Sequence, residues 1–97
     1  MSFVFTFTPT GAGMTADQYD ECITKLEAAG AGNPKGRLYH VCYGDPKNLM
    51  VTDVWDSVEN FEKFGQTLLP ILGAIGINAG QPLVHPVHNT IEAAVLA

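Results

Sequence analysis

The stretch VTDVWDSVENFEKFG (residues 51–65) joins a strand signal to a helix signal. Its first part, VTDVW, is rich in β-branched and aromatic residues, which is typical of a strand. Ser57 follows and offers a side-chain oxygen that can cap the N-terminus of a helix. Phe61 and Phe64 then begin an apolar pattern with three-to-four spacing, which predicts an amphipathic helix. The stretch therefore predicts a strand that leads directly into a helix.

The predicted helix continues beyond this stretch, and its apolar positions are Phe61, Phe64, Leu68, Ile71, Leu72 and Ile75. Pro70 lies inside the pattern, so we expect the helix to kink there or to restart with Pro70 in its first turn. Gly76 is the expected helix stop. An earlier helix is predicted to begin at Thr15, because Thr15 and Gln18 have the spacing of a capping box.

Three further segments have strand character and one has turn character. FVFTFT alternates phenylalanine with valine or threonine, and the residues GDPKN are typical of a turn between two strands. The predicted elements are strand 3–8, helix 15–30, strand 37–43, turn 44–48, strand 49–56, helix 57–76 and strand 82–91.

This β-α-β-β-α-β order predicts an α+β, ferredoxin-like domain spanning residues 1–97, in which a four-stranded antiparallel sheet carries both helices on one face. The first strand has Phe3, Phe5 and Phe7 on one side, and Val4 with threonines on the other. Only 15% of the residues are charged, against about 25% in typical soluble chains. We therefore expect the second sheet face to be covered by another copy, forming a homodimeric α/β barrel.

Charge and composition exclude several partners. The net charge is −5 and the five Lys and Arg residues are scattered, so a nucleic acid or an anionic membrane surface is not an expected partner. No apolar run is long enough to span a membrane. The first residues lack the basic segment of a signal peptide. We therefore expect a cytoplasmic protein whose two cysteines, Cys22 and Cys42, are reduced.

The residues of the opening stretch also carry a family resemblance. A strand that ends in Trp55, followed by Asp56 and by Ser57 at the start of a helix containing Phe61 and Phe64, resembles the dimeric α/β-barrel superfamily that includes the antibiotic-biosynthesis monooxygenases. The segments GRLYHV, LLPILGAIGI and PVHN are similar to a narrower set of small bacterial proteins of this kind. The resemblance implies the same fold, a homodimer, and an activity similar to cofactor-free oxygenation of an aromatic substrate.

The chain departs from this superfamily at positions that matter for chemistry. Monooxygenase-like members often carry a His one helical turn into the second helix, where this chain has Phe64. The haem-degrading branch has a Trp at that point and a His about three turns later, near Ala74 here. It also places an Asn on the first strand, where this chain has Thr6, Phe7 and Thr8. These departures argue against haem chemistry by that route.

Four polar residues are candidates for catalysis: His40, Asp53, His85 and His88. His40 is expected to share a strand face with Leu38 and Cys42, and it is either a hydrogen-bonded structural residue or a base. A buried Asp53 needs a partner, so it pairs with a cation such as Arg37, sits at a wet edge of the sheet, or lines a cavity as an acid or base.

The pair His85 and His88 is separated by Pro86, which argues against a helix. In a strand the two imidazoles point to opposite faces, so we do not expect them to share a metal ion, although a bulge at Pro86 would undo the alternation. The residues expected to line an apolar pocket between sheet and helices are Phe5, Trp55, Phe61, Phe64 and Leu68.

The segment GAGMTA (11–16) matches the glycine pattern of a dinucleotide-binding turn. The strand that follows ends in CYG and continues into a hairpin, which does not fit a doubly wound sheet. We expect these glycines only to turn the chain.

Three functions remain open from the sequence. The first is binding or monooxygenase-like transformation of a small apolar or aromatic molecule, with no cofactor. The second is a non-enzymatic interaction module in which every histidine is structural. The third is a metal or haem protein.

Overall fold

The computed structural model of the protein describes residues 1–92. Its elements are β1 (Phe3–Phe7), α1 (Ala16–Ala28), β2 (Arg37–Asp45), β3 (Asn48–Trp55), α2 (Val58–Ile75) and β4 (Leu83–Pro86). The strands form one antiparallel sheet in the order β2-β3-β1-β4. This order places the first and third strands at the centre, and it confirms the predicted ferredoxin-like topology.

The N-termini of both helices and the C-terminus of α2 form as local sequence signals predict. The hydroxyl of Thr15 accepts the amide of Gln18, while the Gln18 side chain accepts the amide of Thr15, which completes the capping box. Ser57 caps α2 by accepting the amide of Asn60. Gly76 ends α2 in the left-handed conformation. The positive φ angles of Gly11 and Gly13 likewise show that these glycines turn the chain.

The helix α2 runs without interruption through Pro70, so the predicted restart at that residue is wrong. Proline removes one backbone hydrogen bond, and Pro70 lies on the exposed side of α2. The apolar stripe on the opposite side packs on both flanks of the proline, with Phe64 and Leu72 buried. This packing holds the two halves of α2 in one helix.

The two faces of the sheet have different surroundings. Phe5 pairs directly with Asp53 on one side and Val84 on the other, and Asp53 pairs with His40. Opposed residues of an antiparallel pair share a face, and the burial of Phe5 and Asp53 shows that this is the face covered by the helices. We call it the inner face.

The opposite face, which we call the outer face, carries the row Tyr39, Val54, Val4 and His85. Apolar side chains are exposed on it, with Tyr39 at 60% and Leu83 at 65% of their full accessibility. The outer face is therefore an apolar surface that the helices do not cover.

A β-bulge interrupts β2 near its start. Arg37 pairs with Trp55 while Tyr39 pairs with Val54, so Leu38 is an extra residue between two adjacent partners. The predicted alternation of Leu38 with His40 and Cys42 is broken here, and Leu38 is exposed. The bulge brings Arg37 to the inner face together with His40, although their odd spacing alone would separate them.

The last strand is shorter than the ten residues predicted, since β4 ends at Pro86. One further backbone hydrogen bond, from the amide of Val87 to the carbonyl of Ser2, follows it. Proline lacks the N–H that a ladder needs, which accounts for the end of the strand at an edge of the sheet. Among residues 1–92, no helix combines the length and apolar character needed to cross a membrane.

Candidate functional site

A cavity of about 430 Å³ lies between the inner face of the sheet and the two helices. Its lining is largely apolar and includes Phe61, Phe64 and Leu68, three of the five residues expected to line such a pocket. The polar side chains of His40, Asp53 and Tyr19 reach the same cavity. An apolar enclosure with a few convergent polar groups is the usual form of a small-molecule site.

A chain of hydrogen bonds orients the imidazole of His40. Its Nδ1 lies 2.5 Å from Oδ1 of Asp53, and its Nε2 lies 2.6 Å from the hydroxyl of Tyr19. An ionised carboxylate only accepts hydrogen bonds, so Nδ1 of His40 carries the proton of the first contact. In the neutral imidazole, Nε2 then accepts the hydroxyl proton of Tyr19.

Asp53 is buried, with 4% of its surface exposed. Its second oxygen, Oδ2, accepts the indole N–H of Trp55 at 3.2 Å. Both oxygens therefore have protein donors, which compensates for taking a carboxylate out of water. The expected alternative of a pair with Arg37 is wrong, because the register across the hairpin places His40 directly opposite Asp53.

Tyr19 has a strongly perturbed hydroxyl. Burial raises the pKa of Tyr19 to about 12, with a further contribution from Cys42, while the charge of Arg37 acts in the opposite direction. The phenol is therefore protonated at neutral pH and is available as a hydrogen-bond donor. The Asp53–His40–Tyr19 chain thus ends in a neutral O–H group at the cavity.

The two C-terminal histidines lie away from this chain. His85 is opposite Val4 on the outer face, and His88 follows the end of β4. Both are exposed, and neither is among the residues that line the cavity in the described range. The structure thus brings together His40 and Asp53 from the four catalytic candidates, and it separates His85 and His88 from them.

Phe5 and Trp55 also differ from the expectation that they form pocket walls. They are the two most completely buried large side chains, and neither reaches the cavity surface. The rings of Phe61 and Phe64, which do line the cavity, pack against Trp55 at centroid distances of 5.6 and 5.4 Å. The ring of Phe5 packs against that of Phe61 at a centroid distance of 4.3 Å. Phe5 and Trp55 therefore support the wall from behind.

Sequence reasoning missed two residues of the site, Tyr19 and Arg37. Tyr19 belongs to the apolar stripe of α1, and nothing local indicates that it meets a histidine 21 positions later in the chain. Arg37 reaches the cavity because of the bulge at Leu38. No turn or glycine signal in that part of the strand predicts the bulge.

The donor set of the site does not resemble a metal centre. Within residues 1–92, no group of three or more His, Cys, Asp or Glu side chains is placed to hold a metal ion. Cys22 is a free thiol that lines the cavity, and Cys42 is a free, partly buried thiol on the inner face. Burial raises the pKa of both thiols, which disfavours the thiolate form that binds metals.

Comparison with known proteins gives structural neighbours but no sequence-level family. No protein-family model matches the chain. No curated protein gives a significant match either. The fold is shared with SnoaB, a cofactor-independent oxygenase from Streptomyces nogalater, with a TM-score of 0.58 and 18% identity over 95% of this chain and 96% of that chain.

Two other solved structures share the fold over nearly their whole length. A candidate antibiotic biosynthesis monooxygenase from Chloroflexus aurantiacus has a TM-score of 0.52 and 23% identity, covering 92% of this chain and 94% of its own. A second candidate of that kind, from Deinococcus radiodurans, has a TM-score of 0.59 and 12% identity, covering 98% and 100%. The chain therefore has the ferredoxin-like fold of structures described as antibiotic biosynthesis monooxygenases, as its sequence resemblance predicts.

Proposed function

We propose that the protein is a cofactor-independent oxygenase that oxidises a small aromatic molecule in the cavity between sheet and helices. The observation that carries the proposal is the oriented imidazole of His40 at the wall of a largely apolar cavity, held by Asp53 and joined to Tyr19. This is the arrangement that a general base requires. The fold shared with the oxygenase SnoaB supports the same proposal.

The proposed reaction begins with a proton relay. A phenolic or enolic O–H of the substrate gives its proton to the Tyr19 oxygen, while the Tyr19 proton passes to Nε2 of His40. The substrate becomes an electron-rich anion, and His40 becomes an imidazolium ion that the carboxylate of Asp53 stabilises. Without His40, the neutral phenol of Tyr19 is a poor base. We therefore assign the role of proton acceptor to His40 and the role of relay to Tyr19.

The substrate anion itself supplies the electrons for oxygen. It transfers one electron to O₂, and the two radicals combine to form a carbon–peroxide bond. The peroxide takes the proton from His40 to form a hydroperoxide. The carbon that carries the hydroperoxide then loses its remaining proton as the O–O bond breaks, and this proton leaves with the hydroxide as water. A methylene group and O₂ thus give a carbonyl group and one water, with no external reductant.

An oxygen-uptake assay tests this proposal, with anthrone as the probe because its methylene group lies between two aromatic rings and its enol tautomer carries the O–H that the relay deprotonates. We expect uptake above the buffer blank in the presence of a metal chelator, and a loss of about 10²–10⁴-fold in rate for His40→Asn. His88→Asn, at an exposed histidine outside the cavity, is the matched control and is expected to keep the full rate. No uptake above the blank, or full uptake by His40→Asn, would contradict the proposal.

We also infer that two copies pair through the outer face to form the homodimeric barrel. The support is the exposed apolar surface of this face, which includes Tyr39, Tyr43 and Leu83. Apolar patches of this kind mark interaction surfaces, and a C₂ dimer buries the same patch on both copies. The free thiols of Cys22 and Cys42 further support a reducing compartment such as the cytoplasm.

Sedimentation equilibrium at micromolar concentration tests the dimer. We expect a mass of two chains for the wild type, and a mass of one chain for Tyr39→Lys, which buries a cation in the proposed interface. Thr24→Lys adds the same charge to the exposed side of α1 and is expected to remain dimeric. A wild-type mass of one chain would contradict the proposed dimer.

A further inference from the structure

The cavity contains one strongly basic side chain in the described part of the molecule. Of its lining residues between positions 1 and 92, Arg37 is the sole Lys or Arg, against the carboxylates of Asp53 and Glu62. Most of the remaining lining is apolar. A guanidinium group at the wall of such a cavity is a feature that the proposed base chemistry of His40 does not use.

The position of Arg37 is built by the fold. The bulge at Leu38 brings Arg37 onto the inner face opposite Trp55. The guanidinium carbon lies 5.6 Å from the centre of the Phe64 ring, within the range of a cation–π contact. One guanidinium N–H donates to the carbonyl of Gly32 at 3.2 Å. The ring and the carbonyl together hold the side chain in place.

Within residues 1–92, no carboxylate forms an ion pair with the guanidinium group of Arg37. The ion pairs within residues 1–92 are Lys25 with Glu21 and His40 with Asp53, so no carboxylate there lies within 4.0 Å of the guanidinium. Both oxygens of Asp53 already accept hydrogen bonds. A guanidinium has five N–H donors, so donors remain for a ligand.

Arg37 is also close to the reacting end of the site. It pairs with Trp55, and His40 pairs with Asp53, two residues earlier on β3. Two strand residues span about 7 Å, so one bicyclic ligand can reach both groups. The influence of Arg37 on the hydroxyl of Tyr19 agrees with this proximity, since its charge acts to lower the pKa of Tyr19.

We propose that Arg37 selects ligands that combine an aromatic ring system with an anionic oxygen group, such as a carboxylate or an enolate. The rings contact Phe61, Phe64 and Leu68, and the oxygens accept two parallel N–H bonds from the guanidinium. This inference deepens the proposed oxygenase function, because it names the substrate class of the same cavity. An enolate formed during the reaction is stabilised by the same charge.

The test compares two ligands that differ at one group, a carboxylate in one and a neutral carboxamide in the other. Naphthoate and naphthamide have the same rings, and each is titrated against protein carrying the neutral fluorescent probe N-phenylnaphthylamine, whose displacement is measured. For the wild type we expect naphthoate to bind at least about tenfold more tightly than naphthamide, as a charge-assisted bidentate contact of about 1.4 kcal/mol or more implies. For Arg37→Gln we expect equal affinities.

Two further variants secure the interpretation. Lys35→Gln removes an exposed cation two residues away and is expected to keep the preference for naphthoate. Arg37→Lys keeps the charge without the planar fork, and it is expected to keep part of the preference. Circular dichroism checks that each variant is folded, and Arg37→Lys carries the test if Arg37→Gln does not fold.

The inference is overturned if the wild type binds both ligands equally, if neither displaces the probe, or if a folded Arg37→Gln retains the preference. The binding assay needs no turnover, so its outcome is separate from that of oxygen uptake. Anthrone oxidation without a naphthoate preference rejects the role of Arg37 alone. A naphthoate preference that depends on Arg37, without anthrone oxidation, supports that role and rejects the oxygenase proposal.

Discussion

His40 and His85 lie on opposite faces of one four-stranded sheet, and their surroundings give them different chemistry. On the inner face, His40 is hydrogen-bonded on both ring nitrogens, to Asp53 and to Tyr19, at the wall of a cavity. On the outer face, His85 is exposed beside Val4 on an edge strand. The comparison shows that the register of the strands, more than the residue type, decides which histidine can act as an oriented base.

The largest loss of stability is expected from removing the carboxylate of Asp53 on the inner face. Asp53→Ala leaves the indole N–H of Trp55 and the Nδ1–H of His40 without their acceptor in a buried place. Unsatisfied buried donors cost about 1–3 kcal/mol each, so we expect the free energy of unfolding to fall by about 2–4 kcal/mol. Urea denaturation measures this change.

Asp20→Ala, at an exposed carboxylate on α1, is the control for Asp53 and is expected to stay within about 0.5 kcal/mol of the wild type. If the two substitutions lower the free energy of unfolding equally, the inner-face carboxylate does not stabilise the fold through its buried hydrogen bonds.

The next effect concerns the loop that leads into the inner face. Gly36 has a φ angle of +90°, and a Cβ added there would lie 2.5 Å from Oδ1 of Asp56 and 2.8 Å from Cβ of Asn60. We expect Gly36→Ala to lower the free energy of unfolding by about 1–3 kcal/mol. Because the loop precedes Arg37, we also expect weaker binding of naphthoate.

Gly73→Ala is the matched substitution for Gly36, since Gly73 lies inside α2 on its exposed side with open space for a Cβ. Alanine is the better helix former by about 0.5–1 kcal/mol, so this variant should be more stable than the wild type. Thermal unfolding of both variants in parallel checks the opposite signs, and a destabilised Gly73→Ala would contradict the helix described for α2.

The parts of the fold that were predicted from the sequence are those that depend on residues close together in the chain. The caps at Thr15, Ser57 and Gly76 were predicted because each depends on neighbouring residues. The element order and the short β2–β3 turn were sufficient for the ferredoxin-like topology. The choice between a kink and a restart at Pro70 was not decided by the sequence, because the continuity of α2 depends on packing on both sides of the proline.

The candidate site was predicted in part. His40 and Asp53 were both identified as polar residues on predicted strands, but their pairing depends on the hairpin register, which composition does not give. Tyr19 joins them from α1, and this contact depends on how the helix packs over the sheet. Predicting that Arg37 lies on the inner face would have required knowledge of the bulge. The residues were thus accessible from the sequence, whereas their assembly depended on contacts between distant segments.

A smaller effect compares His40 with an exposed histidine. His40→Asn removes two hydrogen bonds of a partly buried side chain, and we expect it to lower the free energy of unfolding by about 1–2 kcal/mol. His88→Asn changes an exposed side chain beyond the end of β4 and is expected to stay within about 0.5 kcal/mol. Chemical denaturation of both variants measures the difference, and equal values would remove the energetic distinction between His40 and an exposed histidine.

The smallest effect is a change in the pH dependence of stability. Burial, followed by the influence of Cys42, raises the pKa of Tyr19 from 10.0 to about 12. Because the folded protein holds this proton more tightly than the unfolded chain, the contribution of Tyr19 is fully present below about pH 10 and is lost as the pH rises toward about 12. Tyr19→Phe should therefore show a shallower decline in stability over this range than the wild type.

Thr24→Ala provides the comparison, at an exposed side chain on the same helix as Tyr19. We expect its stability to decline with pH in parallel with that of the wild type, because Tyr19 is still present. Urea denaturation at a series of pH values between about 9 and 12 measures all three curves. If the curve of Tyr19→Phe also runs parallel to that of the wild type, the hydroxyl of Tyr19 does not hold its proton as the inner-face geometry requires. The hydrogen-bonded chain from Asp53 to Tyr19 would then not be the feature that distinguishes the two faces.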